Sequence, residues 1–240
     1  MTLTLATWNV NSIKARLPNA LDWLAEAKPD IVCLQEIKTV DEGFPREEIE
    51  RLGYNVITHG QKTYNGVAIL SKFPIEESLP GLPGEEEDEQ ARYLEAVISA
   101  PNGPIRVASI YLPNGNPAPG PKYDYKLAWM DRLARHAADL LKLEEPLILA
   151  GDYNVSRAAF DRLKWLGLTE AFEQLDGRAH QYTFYDYQAG RWNKGQGIRI
   201  DHLLCSPQAA DHLESIEIHK ATRGEPKASD HIPILGIFSL

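Results

Sequence analysis

Apolar residues in this chain form short uninterrupted runs and longer segments of helical spacing. The runs LTLATW, which begins at Leu3, and IVCLQ, which begins at Ile31, carry no charged residue and predict two buried strands. Between them, apolar residues recur at the spacing of one helix face, at Ile13, Leu17, Leu21 and Leu24. The chain therefore opens with a predicted strand, a helix and a second strand.

Weaker strand patterns follow in the middle of the chain, in the segments YNVITH, GVAILS, YLEAVIS and IRVASIYL. Turn-forming prolines and glycines separate them, at Pro74, at residues 80–84 and at residues 101–104. Short strands joined by such turns predict antiparallel sheet in this region.

The second half of the chain repeats the opening pattern and then ends in strands. A long helix is predicted for residues 123–143, where apolar residues recur at Leu127, Met130, Ala134, Ala137 and Leu141. The buried strand PLILAGDYN follows and closes on an acid, as IVCLQE does in the first half. After the aromatic segment HQYTFYDYQ, the segments IRIDHLLCS and IPILGIFSL predict the last strands.

Composition predicts a globular protein with one core. With 240 residues, of which 43% are hydrophobic and 25% charged, the chain can bury a sizeable interior, and we expect one domain over residues 1–240. No apolar stretch approaches the roughly 20 residues that cross a bilayer, and the amino terminus lacks a signal-peptide pattern. We therefore expect a cytoplasmic protein without a membrane segment. Cys33 and Cys205 lack metal-ligand spacing, which predicts buried free thiols.

The formal net charge of -9 argues against a protein that simply coats nucleic acid through a basic face. It does not exclude a phosphate-cleaving enzyme, because a bound divalent cation supplies positive charge where the phosphate lies. Basic and amide groups remain for a local groove or for a solvated surface: Lys62, Arg92, Lys122, Arg191, Asn193, Lys194 and Arg199. The acidic run at residues 84–90 is expected to be a solvated loop without catalytic function.

Five polar segments lie at predicted strand ends and carry the candidate chemistry. They are TWNVNS at residues 7–12, CLQE ending at Glu36, YLPN at residues 111–114, GDYN at residues 151–154 and SDH at residues 229–231. Because α/β enzymes place their chemistry at strand ends, these segments together predict one metal-dependent phosphodiesterase site. An isolated acid at a strand end is more often structural, so the prediction depends on the whole set.

The acids of this set suit Mg²⁺, which prefers oxygen ligands and uses only one or two carboxylates. Glu36 is the expected direct ligand. Asn9 is placed to hold that carboxylate or a metal-bound water, and Asp230 to supply a second acidic contact.

Hydrolysis of a phosphodiester also needs an activated water and groups that hold the phosphate oxygens. Asp152 is placed to orient or deprotonate water, with Asn154 fixing its carboxylate. His231 is placed to hold the phosphate while Asp201 orients its imidazole. Two further donors to phosphate oxygens are Tyr111 and Asn114.

Six segments in order, TWNVNS, IVCLQE, YLPNGNP, LILAGDYNV, GIRIDHLL and KASDHIPI, resemble the exonuclease III group of apurinic/apyrimidinic endonucleases. The resemblance spans the whole chain and places it in the endonuclease/exonuclease/phosphatase superfamily. It implies a four-layered α/β sandwich, in which two packed mixed β-sheets are flanked by helices. It also implies that catalysis involves Tyr111, Asp152, Asn154, Asp201 and His231, and that the metal is held by residues from the set Glu36, Asn9, Asp230, Asp152 and Asn154.

The resemblance further implies residues that contact the substrate. Phe184, in YTFYDY, would form one wall of a pocket for the abasic sugar, and Ile198 would form the opposite wall. For Tyr182 and Tyr187, a position in the hydrophobic core is at least as expected as a position in the substrate pocket. Other substrate contacts are implied at Asn114, at Arg92 on a backbone phosphate, and at Tyr64 with Asn65 and Gly66 facing DNA.

Two departures from the family pattern bear on the substrate. Relatives usually carry a long loop after GDYNV, whereas here Val155 leads directly into the next helical segment, so that DNA contacts borne by this loop are in doubt. Asn11 stands where some relatives have an acid near the metal, which leaves the site with one negative charge fewer.

The activity implied is that of a Mg²⁺-dependent DNA repair nuclease, with Mn²⁺ as an alternative cation. It would cut 5′ to abasic sites in duplex DNA, trim 3′ ends and remove 3′ phosphates, working as a monomer on double-stranded DNA with abasic sites or blocked 3′ ends. One alternative is a superfamily phosphodiesterase acting on a lipid or small phosphate ester. A catalytically silent member is disfavoured because Glu36, Asp152, Asp201 and His231 are all present.

Overall fold

The computed structural model describes residues 2–154, 157–175, 177–178 and 181–240. Its strands are β1 (Leu3–Asn9), β2 (Ile31–Gln35), β3 (Asn55–His59), β4 (Val67–Ser71), β5 (Ile75–Pro80), β6 (Tyr93–Ala100), β7 (Gly103–Tyr111), β8 (Leu147–Asp152), β9 (Thr169–Glu170), β10 (Asp201–Cys205), β11 (Leu213–Ile218) and β12 (Ile234–Phe238). Its helices are α1 (Leu17–Ala27), α2 (Arg46–Glu50), α3 (Pro121–Leu141), α4 (Arg157–Trp165), α5 (Ala171–Leu175) and α6 (Pro207–Ala210). Short 3-10 turns lie at Asp41–Gly43, Gln188–Gly190 and Lys220–Gly224.

The strands form two six-stranded mixed sheets, with orders β11-β12-β1-β2-β4-β3 and β5-β6-β7-β8-β10-β9. Each sheet contains one parallel pair, β1 with β2 and β7 with β8, and the remaining neighbours are antiparallel. In each half of the chain the parallel pair is joined through a helix, as parallel strands require. The predicted antiparallel middle is confirmed, although its strands are shared between the two sheets.

Three apolar clusters hold four layers together. Along β2 the side chains alternate, so that Ile31 and Cys33 face the core between the sheets while Val32 faces the helical layer of α1 and α2. The same alternation along β8 directs Ile148 into the central core and Leu149 towards α3 and α4. Burial of both sheet faces explains why these strands are continuous apolar runs, and it confirms the predicted α/β sandwich.

Both long helices differ in detail from the sequence pattern. Helix α1 begins only at Leu17, because Pro18 is tolerated in a first turn but not further inside a helix, and Ile13 is buried ahead of it. Helix α3 packs through Trp129, Leu133 and neighbouring residues, whereas the predicted core residue Leu127 is 37% exposed. Both helices form as predicted, and Leu24, Met130, Ala134 and Ala137 are buried on their packed faces as the pattern indicated.

Two further features bear on the earlier expectations. Cys33 and Cys205 are buried free thiols, as predicted, and burial raises the pKa of each, that of Cys205 to about 12. Over the described parts of the chain, no helix combines the length and apolar character that a membrane span requires.

Candidate active site

The polar strand ends of both sheets converge at one edge of the sandwich. Asn9 is the last residue of β1, and Glu36 directly follows the neighbouring strand β2. From the other sheet, Tyr111 ends β7, Asp152 ends β8 and Asp201 begins β10. The strand register pairs Tyr111 with Asp152 and Asp152 with Asp201, so these three side-chain positions lie next to one another.

A glycine allows β8 to end close to β7. Gly151 has φ +157°, and a Cβ built there would lie 2.0 Å from the carbonyl oxygen of Ile110. No side chain fits this space, so the GD pair in GDYN is a steric requirement for bringing Asp152 against β7.

Asn9 joins the acids of the two sheets. Its buried Nδ2 donates a 2.8 Å hydrogen bond to Glu36 Oε1 and a 2.9 Å hydrogen bond to Asp152 Oδ2. Its Oδ1 accepts from the backbone N–H of Asn11 at 3.0 Å, which fixes the direction of the amide. The two carboxylates are therefore held side by side by one neutral donor group.

Glu36 is balanced by a lysine that sequence reasoning did not single out. Lys38 Nζ lies 2.7 Å from Glu36 Oε2 and donates to Asn11 Oδ1 at 2.5 Å. Burial opposes ionisation of Glu36, but the hydrogen bonds from Asn9 and Lys38 together lower its pKa below the ordinary value. The only signal in the sequence was the position of Lys38 two residues after the acid.

The backbone at these residues is unusual. Asn11, Glu36 and Asn154 have φ values of 46°, 52° and 42°, in the left-handed region that most side chains avoid. Such conformations persist only where surrounding contacts enforce them, and they concentrate at functional sites. Their position around the acids agrees with a functional site, in which the geometry needed for function is kept at a cost to local stability.

His231 forms a buried pair with Asp201, as the sequence predicted. Its Nδ1 lies 3.0 and 2.9 Å from the two oxygens of Asp201, and its Nε2 lies 3.7 Å from Asp152 Oδ2. Thr183, another residue that sequence reasoning missed, donates its hydroxyl to Asp201 Oδ2 at 2.6 Å and orients the carboxylate. Although burial lowers the pKa of His231, the charges of Asp201 and Asp152 raise it to about 10.

Asp152, like Asp201, is a fully buried acid of the site. Burial raises its pKa to about 7, against the opposing charge of His231. The backbone N–H of Asn154 donates to its Oδ1 at 2.9 Å, so the carboxylate is oriented as predicted. Near neutral pH this group exchanges a proton easily, which is the property required of a general base.

The donor set suits a divalent cation held by oxygen ligands. One ligand atom each from Glu36, Asp152 and His231 lie within 4.8 Å of one another. His231 Nδ1 is engaged with Asp201, so that only Nε2 faces the carboxylate of Asp152. The carboxylates of Glu36 and Asp152 then supply oxygen ligands of the kind that hard divalent cations prefer, and Asn9, whose Nδ2 faces both of them, holds these ligands in place.

Two predicted metal contacts are already engaged with protein groups. Asp230 lines the cavity, and its Oδ1 accepts a 3.0 Å hydrogen bond from Asn11 Nδ2. Asn154 donates through Nδ2 to the carbonyl of Leu112 at 3.0 Å and accepts through Oδ1 from Asn114 at 3.2 Å. These contacts make Asn154 and Asn114 a brace between the two loops, and their roles toward metal and phosphate stay predictions.

Lys126 completes this brace and was not predicted. It is 3% exposed, and its Nζ donates to the backbone carbonyls of Asn114, at 3.2 Å, and Asn154. Burial lowers its pKa, while the charge of Asp152 acts in the opposite direction. A lysine on α3 gives no sequence signal for such a position, because most lysines on helices are solvated.

Tyr111 presents a protonated phenol to the site. Burial and then the charges of Glu36 and Asp152 raise its pKa far above the ordinary value, so the hydroxyl remains a donor. The guanidinium of Arg92 lies over its ring, 4.8 Å from the centroid, and donates to its backbone carbonyl at 3.3 Å. Arg92 therefore holds Tyr111, and its predicted contact with a DNA phosphate stays a prediction.

Phe184, Ile198 and His231 lie in a row rather than as facing walls. Phe184 pairs in antiparallel fashion with Ile198 on one side and with His231 on the other, and its ring centroid is 4.8 Å from that of His231. Directly opposed residues of antiparallel strands point to the same face. The expected opposite walls are thus neighbours along one side of a cavity of about 470 Å³ that also contains Glu36 and Asp152.

Other predicted residues lie away from this cavity. Tyr64 is 69% exposed, whereas Asn65 is buried and donates to Gln61 at 2.8 Å, and the DNA contacts predicted for residues 64–66 stay predictions. Tyr187 is 49% exposed rather than part of the core. The prediction about the loop at Val155 lies outside the described residues.

Comparison with known proteins agrees with this geometry. The profile of the Endonuclease/Exonuclease/phosphatase family matches residues 6–231. Exodeoxyribonuclease III of Haemophilus influenzae is 31% identical over 263 aligned residues, which cover 97% of this chain and 98% of the relative.

Two solved structures share the fold over nearly their whole length. The 3′ phosphatase NExo from Neisseria, bound to a product DNA hairpin, is 33% identical with a TM-score of 0.95, covering 99% of this chain and 100% of its own. An AP endonuclease from Archaeoglobus fulgidus is 33% identical with a TM-score of 0.93 and the same coverage.

Proposed function

The chain belongs to the endonuclease/exonuclease/phosphatase family, and we propose that it is a Mg²⁺-dependent DNA repair nuclease of the exonuclease III type. It hydrolyses the phosphodiester on the 5′ side of abasic sites in duplex DNA. It also removes nucleotides and phosphate groups from 3′ ends. The names of the relatives support these activities, since they include an exodeoxyribonuclease, an AP endonuclease and a 3′ phosphatase.

The observation that carries the proposal is the junction of the two sheets at Asn9. One amide holds Glu36 and Asp152 side by side, and the His231–Asp201 pair faces the second of these acids. A carboxylate for metal, a carboxylate for water and a cationic donor for phosphate thus share one cavity. These are the three functions that hydrolysis of a phosphodiester requires.

Glu36 would hold Mg²⁺ directly, and Asp152 and Asp230 would complete the acidic side of the site. When bound there, Mg²⁺ supplies positive charge that neutralises the phosphodiester and offsets the acidity of the chain. Asn9 keeps the two nearest carboxylates from turning away from each other.

The residues around the proposed metal site have separate roles in the reaction. Asp152 orients the attacking water and takes its proton, because its pKa lies near neutrality. His231, kept protonated by Asp201, donates through Nε2 to a non-bridging phosphate oxygen. Tyr111 donates its phenolic proton toward the phosphate or the leaving oxygen.

Phe184 and Ile198 support the choice of an abasic substrate. They present apolar side chains beside His231, where a deoxyribose without its base would lie against them. Extruding such a nucleotide costs less than extruding a normal one, since no base must be unpaired and unstacked. Because the catalytic groups all come from one chain, we further propose that residues 1–240 act as one domain and as a monomer.

The test is incision of a labelled duplex that contains one tetrahydrofuran abasic analogue, in Mg²⁺ or in EDTA, beside an undamaged duplex. The proposal expects Mg²⁺-dependent incision 5′ to the analogue and little cutting within the undamaged duplex. A parallel duplex with a 3′ phosphate tests the end-processing activity. Absence of cleavage of every duplex, together with turnover of a small phosphate ester, would overturn the assignment to DNA.

A further inference from the structure

A second cavity lies beside the candidate active site and shares Phe184 and Ile198 with it. Its volume is about 230 Å³, and we call it the side cavity; its lining residues are Phe184, Asp186, Arg191, Gln196, Gly197 and Ile198. Phe184 and Ile198 also line the catalytic cavity. A group bound in the side cavity would therefore lie next to a sugar bound against the same two side chains.

The loop that forms the side cavity is held by an arginine from the opposite side. Arg223 donates to the carbonyl of Tyr185 at 3.2 Å, and its guanidinium lies 5.1 Å from the ring centroid of Tyr187 and 5.7 Å from that of Trp192. Tyr185 and Trp192 also pack edge to face, with centroids 4.8 Å apart. Because the rings of Tyr187 and Trp192 both pack against the guanidinium of Arg223, the loop is held in a defined shape.

Backbone hydrogen bonds close the same loop internally. The N–H groups of Lys194, Gly195 and Gln196 donate to the carbonyls of Gly190, Trp192 and Arg191 at 3.1, 3.0 and 2.9 Å. The side cavity is therefore formed by a compact, braced segment, and the positions of Arg191 and Gln196 along its rim are fixed by the backbone.

Two polar side chains at the cavity are available for a ligand. Arg191 and Gln196 are exposed, and within the described part of the chain neither side chain has a hydrogen-bond or ion-pair partner. Asp186 accepts the backbone N–H of Gln188 through Oδ1 at 2.7 Å, which orients its carboxylate and leaves the second oxygen for another donor. The rim thus combines a cation, an amide and an acid.

We propose that the side cavity binds the nucleobase of a nucleotide adjacent to the scissile linkage, an inference that rests on the proposed function. The face of Phe184 offers a stacking surface, and the three polar side chains match the mixed donors and acceptors along a base edge. Asp186 disfavours an alternative occupant, a backbone phosphate, because it places a negative charge on the cavity wall. The cavity makes incision sensitive to the base beside the lesion.

The experiment measures incision of duplexes in which a tetrahydrofuran analogue lies at a fixed position and neighbouring bases are removed one at a time. The removed base is the 5′ neighbour, which borders the scissile linkage; duplexes that lack instead the 3′ neighbour or the base opposite the lesion serve as comparisons. For the unmodified protein, removing the 5′ neighbour should lower kcat/KM for incision at the original analogue, identified by product length, by about tenfold, the size of one stacked or hydrogen-bonded base contact. Arg191→Ala and Gln196→Ala should abolish most of that difference. A loss seen only when the 3′ neighbour or the opposite base is removed would contradict the assignment.

Gln188→Ala is the matched control, because it removes an exposed amide from the same loop outside the side cavity. It should retain the full dependence on the neighbouring base. A dependence that Arg191→Ala and Gln196→Ala leave unchanged would overturn the nucleobase assignment. So would an equal loss by Arg191→Ala on every duplex with a shallower salt dependence than that of the unmodified protein, since that result identifies a lost phosphate contact. If no abasic duplex is cut by the unmodified protein, the proposed function fails as well.

Discussion

Replacement of Asp201 by asparagine should move the pH at which catalysis is lost. Asp201 holds His231 Nδ1 through both carboxylate oxygens, at 2.9 and 3.0 Å, and its charge is the largest influence that raises the pKa of this histidine. The asparagine amide keeps the shape of the side chain and removes its charge. With that charge gone, His231 releases its proton at lower pH, and the donor to the phosphate is lost.

The size of the shift follows from the strength of the lost contact. A hydrogen bond to a charged group contributes about 1.5–3 kcal/mol, and one pKa unit corresponds to about 1.4 kcal/mol. The pKa of His231, about 10 in the intact protein, should therefore fall to about 8 or 9 in Asp201→Asn. The intact enzyme should stay active to about pH 10, and the variant should lose activity from about pH 8 upward.

The assay is single-turnover incision of the abasic duplex at saturating Mg²⁺ over a pH series, which isolates chemistry from product release. Glu170→Gln is the matched control, because Glu170 forms a buried pair with His202, 3.1 Å away, that takes no part in the candidate active site. The control should keep the alkaline limit of the intact protein. An unchanged alkaline limit in Asp201→Asn would refute the role assigned to the His231–Asp201 pair.

Three further substitutions test the other parts of the site. Asp152→Asn should lower the single-turnover rate by about 10²–10⁴-fold through loss of the general base, with DNA binding retained in a mobility-shift assay; near-native turnover would contradict this role. Asn9→Ala should raise the Mg²⁺ concentration for half-maximal activity by about 10–100-fold, because Glu36 and Asp152 lose their shared donor; an unchanged midpoint would argue against it. Phe184→Ala should reduce the preference for abasic over undamaged duplex by about tenfold with an unchanged Mg²⁺ midpoint, and undiminished preference would place its ring outside the substrate pocket.

The sequence pattern could identify the polar residues at strand ends because the strands themselves are buried on both faces. Continuous apolar runs such as IVCLQ stop where the chain leaves the core, and the residue that follows is Glu36. The apolar runs do not indicate which strand ends lie next to one another in the folded protein. Asn9 and Asp152 come from different sheets, and only the packing of one sheet on the other brings them to 2.9 Å. The tendency of α/β enzymes to place their chemistry at strand ends predicted one shared site, and the family resemblance assigned the individual roles within it.

Residues that support the site from unexpected places were missed. Lys126 is buried under two loops and Lys38 pairs with Glu36, although lysines are rarely buried and rarely stand out in a pattern. Thr183 lies in the segment YTFYDY, in which only the aromatic residues were predicted to have a role. The supporting role of such residues becomes visible only once the fold shows which groups lie next to them.

Edge strands were the least predictable part of the fold. Strands β5, β9 and β11 were not predicted, and each lies at the edge of its sheet. The side chains of β5 and β11 are mostly exposed or half-buried. An edge strand needs to bury only part of its surface, so its sequence can remain polar and lack a clear alternation. The central strands, which must bury both faces, were all indicated by the sequence.

The most direct test of the account is to locate the metal while DNA is bound. Crystals of the protein with a product duplex and Mn²⁺, used as an anomalous scatterer, would show the cation relative to the acids. The account predicts an anomalous peak in contact with the Glu36 carboxylate, with Asp152 and His231 around the adjacent phosphate. A peak away from Glu36, or a phosphate bound without His231 and Asp152 near it, would contradict the claim that these strand ends form one metal-dependent hydrolytic centre.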